Sequence, residues 1–117
     1  MKFELKSHIK NNLKKEVALL LELLEIEEKK KKFEEIEAKV LSGDYSPKIL
    51  KEKTYLEKVL TKFEKINSNV NDLEELIEMI DDGAIGDLKS METEVKQLTQ
   101  EIESIKVEAM FSAEIDT

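Results

Sequence analysis

The stretch SPKILKEKTYLEKVLTKFEKINSNVNDLEELIEMIDDG, Ser46 to Gly83, dictates a long amphipathic helix. Ile49, Leu56, Phe63, Val70 and Ile77 lie seven apart, and Val59, Ile66, Leu73 and Ile80 form a second interleaved row. Only Glu52 interrupts the pattern, at the first position of that row. Apolar residues at alternating steps of three and four stay on one side of a helix, so this is a coiled-coil seam. Ser46 is an N-cap type followed by Pro47, whose missing N–H costs nothing in a first turn. Asp81-Asp82-Gly83 closes the segment, with Gly83 expected in the left-handed conformation that ends helices. Residues 47–82 would then make a helix of roughly 54 Å at 1.5 Å per residue.

The flanking segments follow the same rule. Downstream, Leu88, Met91, Val95, Leu98, Ile102, Ile105 and Ala109 alternate by three and four, which predicts a helix over about 87–110, with Asp87 or Ala84 at its start. Upstream, Leu19, Ile26, Phe33 and Val40 are seven apart, flanked by Leu13, Val17, Leu20, Leu23, Leu24 and Ile36. This predicts a helix over about 7–41, ending at Ser42-Gly43, with an apolar face broad enough for two partner helices. The short connections at 42–46 and 83–86 force antiparallel neighbours. The expected fold is therefore one all-α domain over 1–117, an antiparallel three-helix, coiled-coil-like bundle. Its last helix is too short to cover the others, so about Lys30 to Lys58 should project as a two-helix tip.

Composition narrows the function. The chain has 117 residues, 39% of them charged, with three Gly, one Pro and no Cys. The absence of cysteine removes disulfides, thiolate metal sites and thiol nucleophiles. The N-terminal residues Met1 to Lys6 lack an apolar signal core, and the apolar run Val17 to Leu24 is too short and charged to span a bilayer, so a cytoplasmic location is expected. Residues 1–62 carry fifteen Lys against twelve acids, whereas residues 63–117 carry four Lys against fifteen acids. Every cation is Lys, which argues against base-specific DNA reading, where Arg dominates. Residues 29–62, at the projecting tip, hold ten Lys against six acids. The run Lys29 to Lys32 wraps around a helix and is expected to pair with Glu25, Glu27 and Glu28 at i,i+4.

No constellation of residues points to catalysis. The adjacent pairs Glu27-Glu28, Glu34-Glu35 and Glu74-Glu75 diverge by about 100° on a helix. His8 is the sole histidine, and Asp81-Asp82-Gly83 lacks the alternating ligands of a calcium loop. A protein without enzymatic activity, cofactor or metal is expected.

Three stretches resemble one family. Met110-Phe111-Ser112-Ala113-Glu114-Ile115-Asp116 is similar to the Leu-Ser-Gly-Glu-Tyr-Asp element that closes the N-terminal helical domain of bacterial class-I peptide chain release factors, of the UGA-reading release factor 2 type. Glu27 to Ala38 resembles the charged first helix of that domain. Asp72-Leu73-Glu74-Glu75-Leu76-Ile77 resembles its Asp-Leu-x-x-Leu stretch. Ala113 stands where the family usually has Gly and Ile115 where it has Tyr, and Tyr45 alone stands for the Phe-Trp pair at the hairpin turn. The resemblance implies a ribosome-docking arm for translation termination, with residues 111–117 leading towards a downstream domain that carries codon reading and the Gly-Gly-Gln loop. It implies contact between the tip, around Phe33, Tyr45, Lys48 and Lys51, and the RNA and protein of the ribosomal stalk base. It also implies cooperation with the GTPase release factor. The acidic last helix would face that partner or the rest of the factor. Two other readings of the same residues stay open: a generic coiled-coil structural or homodimerisation module, and an acidic helical chaperone or anti-factor. A self-contained bundle would be a monomer of 13.5 kDa.

Overall fold

The computed structural model describes residues 1–115, and in them the chain is an all-α bundle. The helices are α1 (Lys2–His8), a π-helical turn (Ile9–Leu13), α2 (Lys14–Leu23), α3 (Ile26–Leu41), α4 (Pro47–Met79) and α5 (Ile85–Ile115). α1, the π-turn and α2 form one rod, which packs against the C-terminal half of α4 and against α5. Lys6 pairs with Glu78 and Lys14 with Glu74, so this rod runs antiparallel to α4. α3 folds back along the N-terminal half of α4 as a hairpin. The molecule is elongated, with extents of 58 × 32 × 18 Å.

The seam of α4 is buried as its spacing requires. Leu56, Phe63, Ile66, Val70, Leu73 and Ile77 are all inaccessible to solvent, with Val59 and Ile80 half-buried beside them. Leu88, Met91, Val95, Leu98, Ile102 and Ile105 line α5 in the same way. The α4 row from Phe63 to Ile77, the α5 row and the rod make one continuous core, and each fully buried aliphatic side chain contributes about 1.5–3 kcal/mol. Ile36 and Leu56 are buried in the hairpin, apart from that core.

The first segment departs from expectation in three ways. It begins at Lys2 rather than Ser7, because Leu5 and Ile9 extend the buried row towards the N-terminus. Leu5, Ile9, Leu13 and Val17 are four apart, and each such step overshoots a 3.6-residue turn by about 40°. The wider π-turn at Ile9–Leu13 takes that drift back and keeps all four facing the core. The expected single helix over 7–41 is also broken at Leu24–Glu25, where Glu25 adopts left-handed φ 52° and ψ 49°. Leu20 and Ile26, both fully buried, would face about 120° apart on an unbroken helix. The break rotates the chain so that both point inward. Leu19 and Leu23, expected on the apolar face, are left on the surface as a result.

The helix ends are mixed. Ser46 and Pro47 begin α4 as expected, although the Ser46 side chain makes no cap hydrogen bond. Its C-terminus differs. α4 stops at Met79, Ile80 turns extended and packs on the core, and Gly83 is not left-handed. Burying Ile80 by leaving the helix early removes the need for a glycine cap. α5 begins at Ile85, after Ala84, with Asp87 in its first turn where the helix dipole favours an anion. At its far end α5 continues through Phe111 to Ile115, so the first part of the expected exit segment is helical, and Asp116 and Thr117 lie outside the described residues.

Candidate functional site: the hairpin tip

The turn between α3 and α4 is built from local hydrogen bonds. The Asp44 N–H donates to the Lys39 carbonyl and the Gly43 N–H to that of Val40, the paired bonds of a Schellman motif. Gly43 supplies the left-handed residue at φ 103°, where a side chain would be strained. The Ser42 hydroxyl donates to the Lys39 carbonyl, and the Ser46 N–H donates to Asp44 Oδ1 at 3.2 Å. Pro47 then restarts the helix. The turn is thus held by its backbone and by the short Ser42 and Asp44 side chains, and leaves its larger side chains free.

Those side chains are Tyr45, 65% exposed, together with exposed Lys48 and Lys51. None of Lys39, Lys48 and Lys51 joins an ion pair among the described residues. Phe33 does not belong with them. It lies two helical turns short of the loop, about 12 Å along α3 from Leu41. It is half-buried in a shallow groove with Leu60, Lys30 and the acids Glu34, Glu37, Glu57 and Glu64. The structure therefore brings Tyr45, Lys48 and Lys51 together and separates Phe33 from them.

The tip also presents apolar residues that periodicity did not single out. Leu41 is 87% exposed, and Leu50 and Tyr55 are exposed on α4. Their signal in the sequence is negative: each is a large apolar residue off the seam, where Lys and Glu are the rule. A cleft of about 270 Å³ at the base of the hairpin, lined by Leu24, Tyr55, Val59, Phe63, Ile105 and Ala109, marks where α5 meets the projecting arm.

The lysine run is used differently from expectation. Lys29 Nζ donates to the Leu24 carbonyl, capping the C-terminal end of α2 at the break. The expected pairs Glu25–Lys29, Glu27–Lys31 and Glu28–Lys32 are not formed, and Glu25 stands outside the helix. The Asn12 side-chain amide donates from Nδ2 to His8 Nδ1 at 2.9 Å. Among the described residues no group of three or more His, Asp or Glu could hold a metal ion, and no helix is long and apolar enough to cross a membrane.

The class defined by this geometry is an all-α helical bundle with a projecting two-helix hairpin. The chain is similar to peptide chain release factor 2 of Neorickettsia sennetsu, 35% identical over 113 residues that make up 91% of this chain and 31% of that protein. It is also similar to peptide chain release factor 2 of Clostridium perfringens, 30% identical over 114 residues, 92% of this chain and 30% of that protein. A second strain of Clostridium perfringens gives the same figures of 30% identity over 114 residues. The chain thus spans about a third of the length of the curated relatives it matches. No family model matches the chain, and no solved structure gives a significant match.

Proposed function

We propose that this chain is the N-terminal helical domain of a release factor, a cytoplasmic ribosome-docking arm for translation termination that has no enzymatic activity. One observation carries this reading: a chain similar to release factor 2 over nine-tenths of its length projects a hairpin whose turn presents Tyr45, Lys48 and Lys51 to solvent. The lysines supply point-charge attraction to the phosphates of stalk-base RNA, and Tyr45 supplies a face for a base or for an apolar patch on a stalk-base protein. The GTPase release factor is the second partner that this reading implies. Pairing of the α4 seam between two chains has little support, because Leu56, Phe63, Ile66, Val70, Leu73 and Ile77 are already buried within one chain.

The test is co-sedimentation with 70S ribosomes at rising salt. The chain should co-sediment at low salt, and Lys48→Glu with Lys51→Glu should abolish this or flatten the log–log salt slope by about 1–2. Unchanged binding and an unchanged slope in the double variant would remove the tip from the proposal.

A further inference from the structure

The three interhelical seams of the bundle are not equally satisfied. Between the rod and α4, Lys6 and Lys10 hold Glu78 at 2.8 and 3.2 Å, and Lys14 holds Glu74 at 2.9 Å. Between α2 and α5, Lys106 holds Glu16. The third seam, between α4 and α5, has one cross-link among the described residues, Lys62 to Glu108 at 3.7 Å, at the end nearest the hairpin. From there towards the α4–α5 turn it opens into a groove of about 370 Å³. Buried Leu73 and Leu98 form its floor and Leu76, 45% exposed, its apolar wall.

The charges around that groove all have one sign. Asp72 on α4 faces Glu94 and Glu101 on α5, and no lysine lines the groove. None of these three acids joins an ion pair among the described residues. The acids on α5 are periodic: Asp87, Glu94, Glu101 and Glu108 lie seven apart, so they form one stripe along the flank that faces α4. At such flanking positions a bundle ordinarily places opposite charges across the seam, as this one does on its other two sides. Like charges across a half-exposed leucine are unfavourable in the isolated chain and favourable only when cations arrive from outside.

We infer that the α4–α5 groove is the docking site of a Lys/Arg-bearing amphipathic helix from a partner protein. Such a helix would lie along the groove as a fourth bundle member. Its apolar face would cover Leu76, and its flanking cations would neutralise Asp72, Glu94 and Glu101. The groove is independent of the tip, since Lys51 and Leu76 are separated by about 37 Å of α4. The occupant is basic because every charge it meets is acidic. It is helical and amphipathic because the groove runs between two antiparallel helices and offers one apolar contact, Leu76, flanked by acids.

The experiment uses the whole chain and no ribosomes, so its outcome is separate from that of the docking-arm reading. The probe is a synthetic helical peptide of about 18 residues, Leu on one face at i, i+3, i+4 and i+7 and Lys elsewhere. Binding is followed by calorimetry and by methyl NMR shifts at Leu73, Leu76 and Leu98. Saturable, salt-sensitive binding should perturb those three methyls. Glu94→Lys with Glu101→Lys should weaken it at least tenfold, and Leu76→Gln several-fold. A control reversal in the Phe33 groove, Glu34→Lys with Glu37→Lys, should leave it within about twofold, since distant surface charges are screened. Without peptide, the Glu94→Lys/Glu101→Lys protein should melt higher than the parent, because repulsion across the groove is relieved. Equal losses from the control pair would reduce the effect to general acidity and overturn the inference. So would methyl shifts mapping elsewhere, or a lower melting temperature in the groove variant. A concentration-dependent dimer mass abolished by the groove reversal would identify a second copy's basic hairpin as the occupant, and a foreign partner would then be rejected.

Discussion

Lys106 donates a hydrogen bond to Glu16, joining α5 to α2 across ninety positions of sequence. Lys106 is mostly covered, and Glu103 sits 3.6 Å from its ammonium on the same helix. This contact sets the parallel register of α2 and α5, which no local spacing specifies.

The Glu16 hydrogen bond is the largest influence holding the Lys106 ammonium above its ordinary value of 10.5; burial opposes it, and the charges of Glu16 and Glu103 reinforce it. A cation whose pKa is raised by folding adds stability that is fully present below the unfolded value. That stability is lost as pH rises through the folded one. Glu16→Gln should lower stability by about 0.5–1 kcal/mol at neutral pH, in keeping with a partly exposed pair. It should also reduce the loss seen above pH 10.5. Urea unfolding of both proteins between neutral and alkaline pH measures the difference.

Glu78 gives the opposite sign. Hydrogen bonds from Lys6 and then Lys10 hold its carboxyl below the ordinary 4.5; desolvation opposes them, and the charges of the two lysines add to the lowering. A carboxylate whose pKa folding lowers contributes above the unfolded value, and the contribution disappears as pH falls through the folded one. Glu78→Gln should therefore flatten the melting-temperature profile below pH 4.5 and leave its alkaline limb unchanged.

The two left-handed residues predict opposite effects. Glu25 at φ 52° has a side chain where glycine is easier, so Glu25→Gly should stabilise the chain by about 1 kcal/mol. Gly43 at φ 103° has none, so Gly43→Ala should destabilise it by at least about 1 kcal/mol. Denaturation midpoints at equal m-value decide both signs.

Core and arm should unfold with different reach. Ile77→Ala, at a fully buried site in the main core, should cost about 2–5 kcal/mol and lower global stability. Ile36→Ala lies in the hairpin, apart from that core, and should speed amide exchange in α3 and the N-terminal half of α4. Exchange in α5 should stay near its parent rate, which residue-resolved hydrogen exchange reports.

The sequence alone determined the helical class, the seams and the turn. The rows Leu56–Phe63–Val70–Ile77 and Leu88–Val95–Ile102 are buried as their spacing requires, because helical period is a local property of the backbone. Ser42-Gly43 and Ser46-Pro47 bracket the tip for an equally local reason, the geometry of caps, so Tyr45, Lys48 and Lys51 could be placed together. The tertiary structure decided the rest. The π-turn at Ile9–Leu13 and the break at Glu25 exist because Leu5, Ile9, Leu20 and Ile26 must all reach one core, and a straight helix cannot deliver them there. Leu19 and Leu23 came onto the surface through that same change of phase, whereas Phe33 is apart from the tip because eight residues of unbroken α3 separate it from Leu41. Which acids find a lysine and which line an open groove depends on the register between helices. That register is set by side-chain packing between distant segments, about which heptad spacing carries no information.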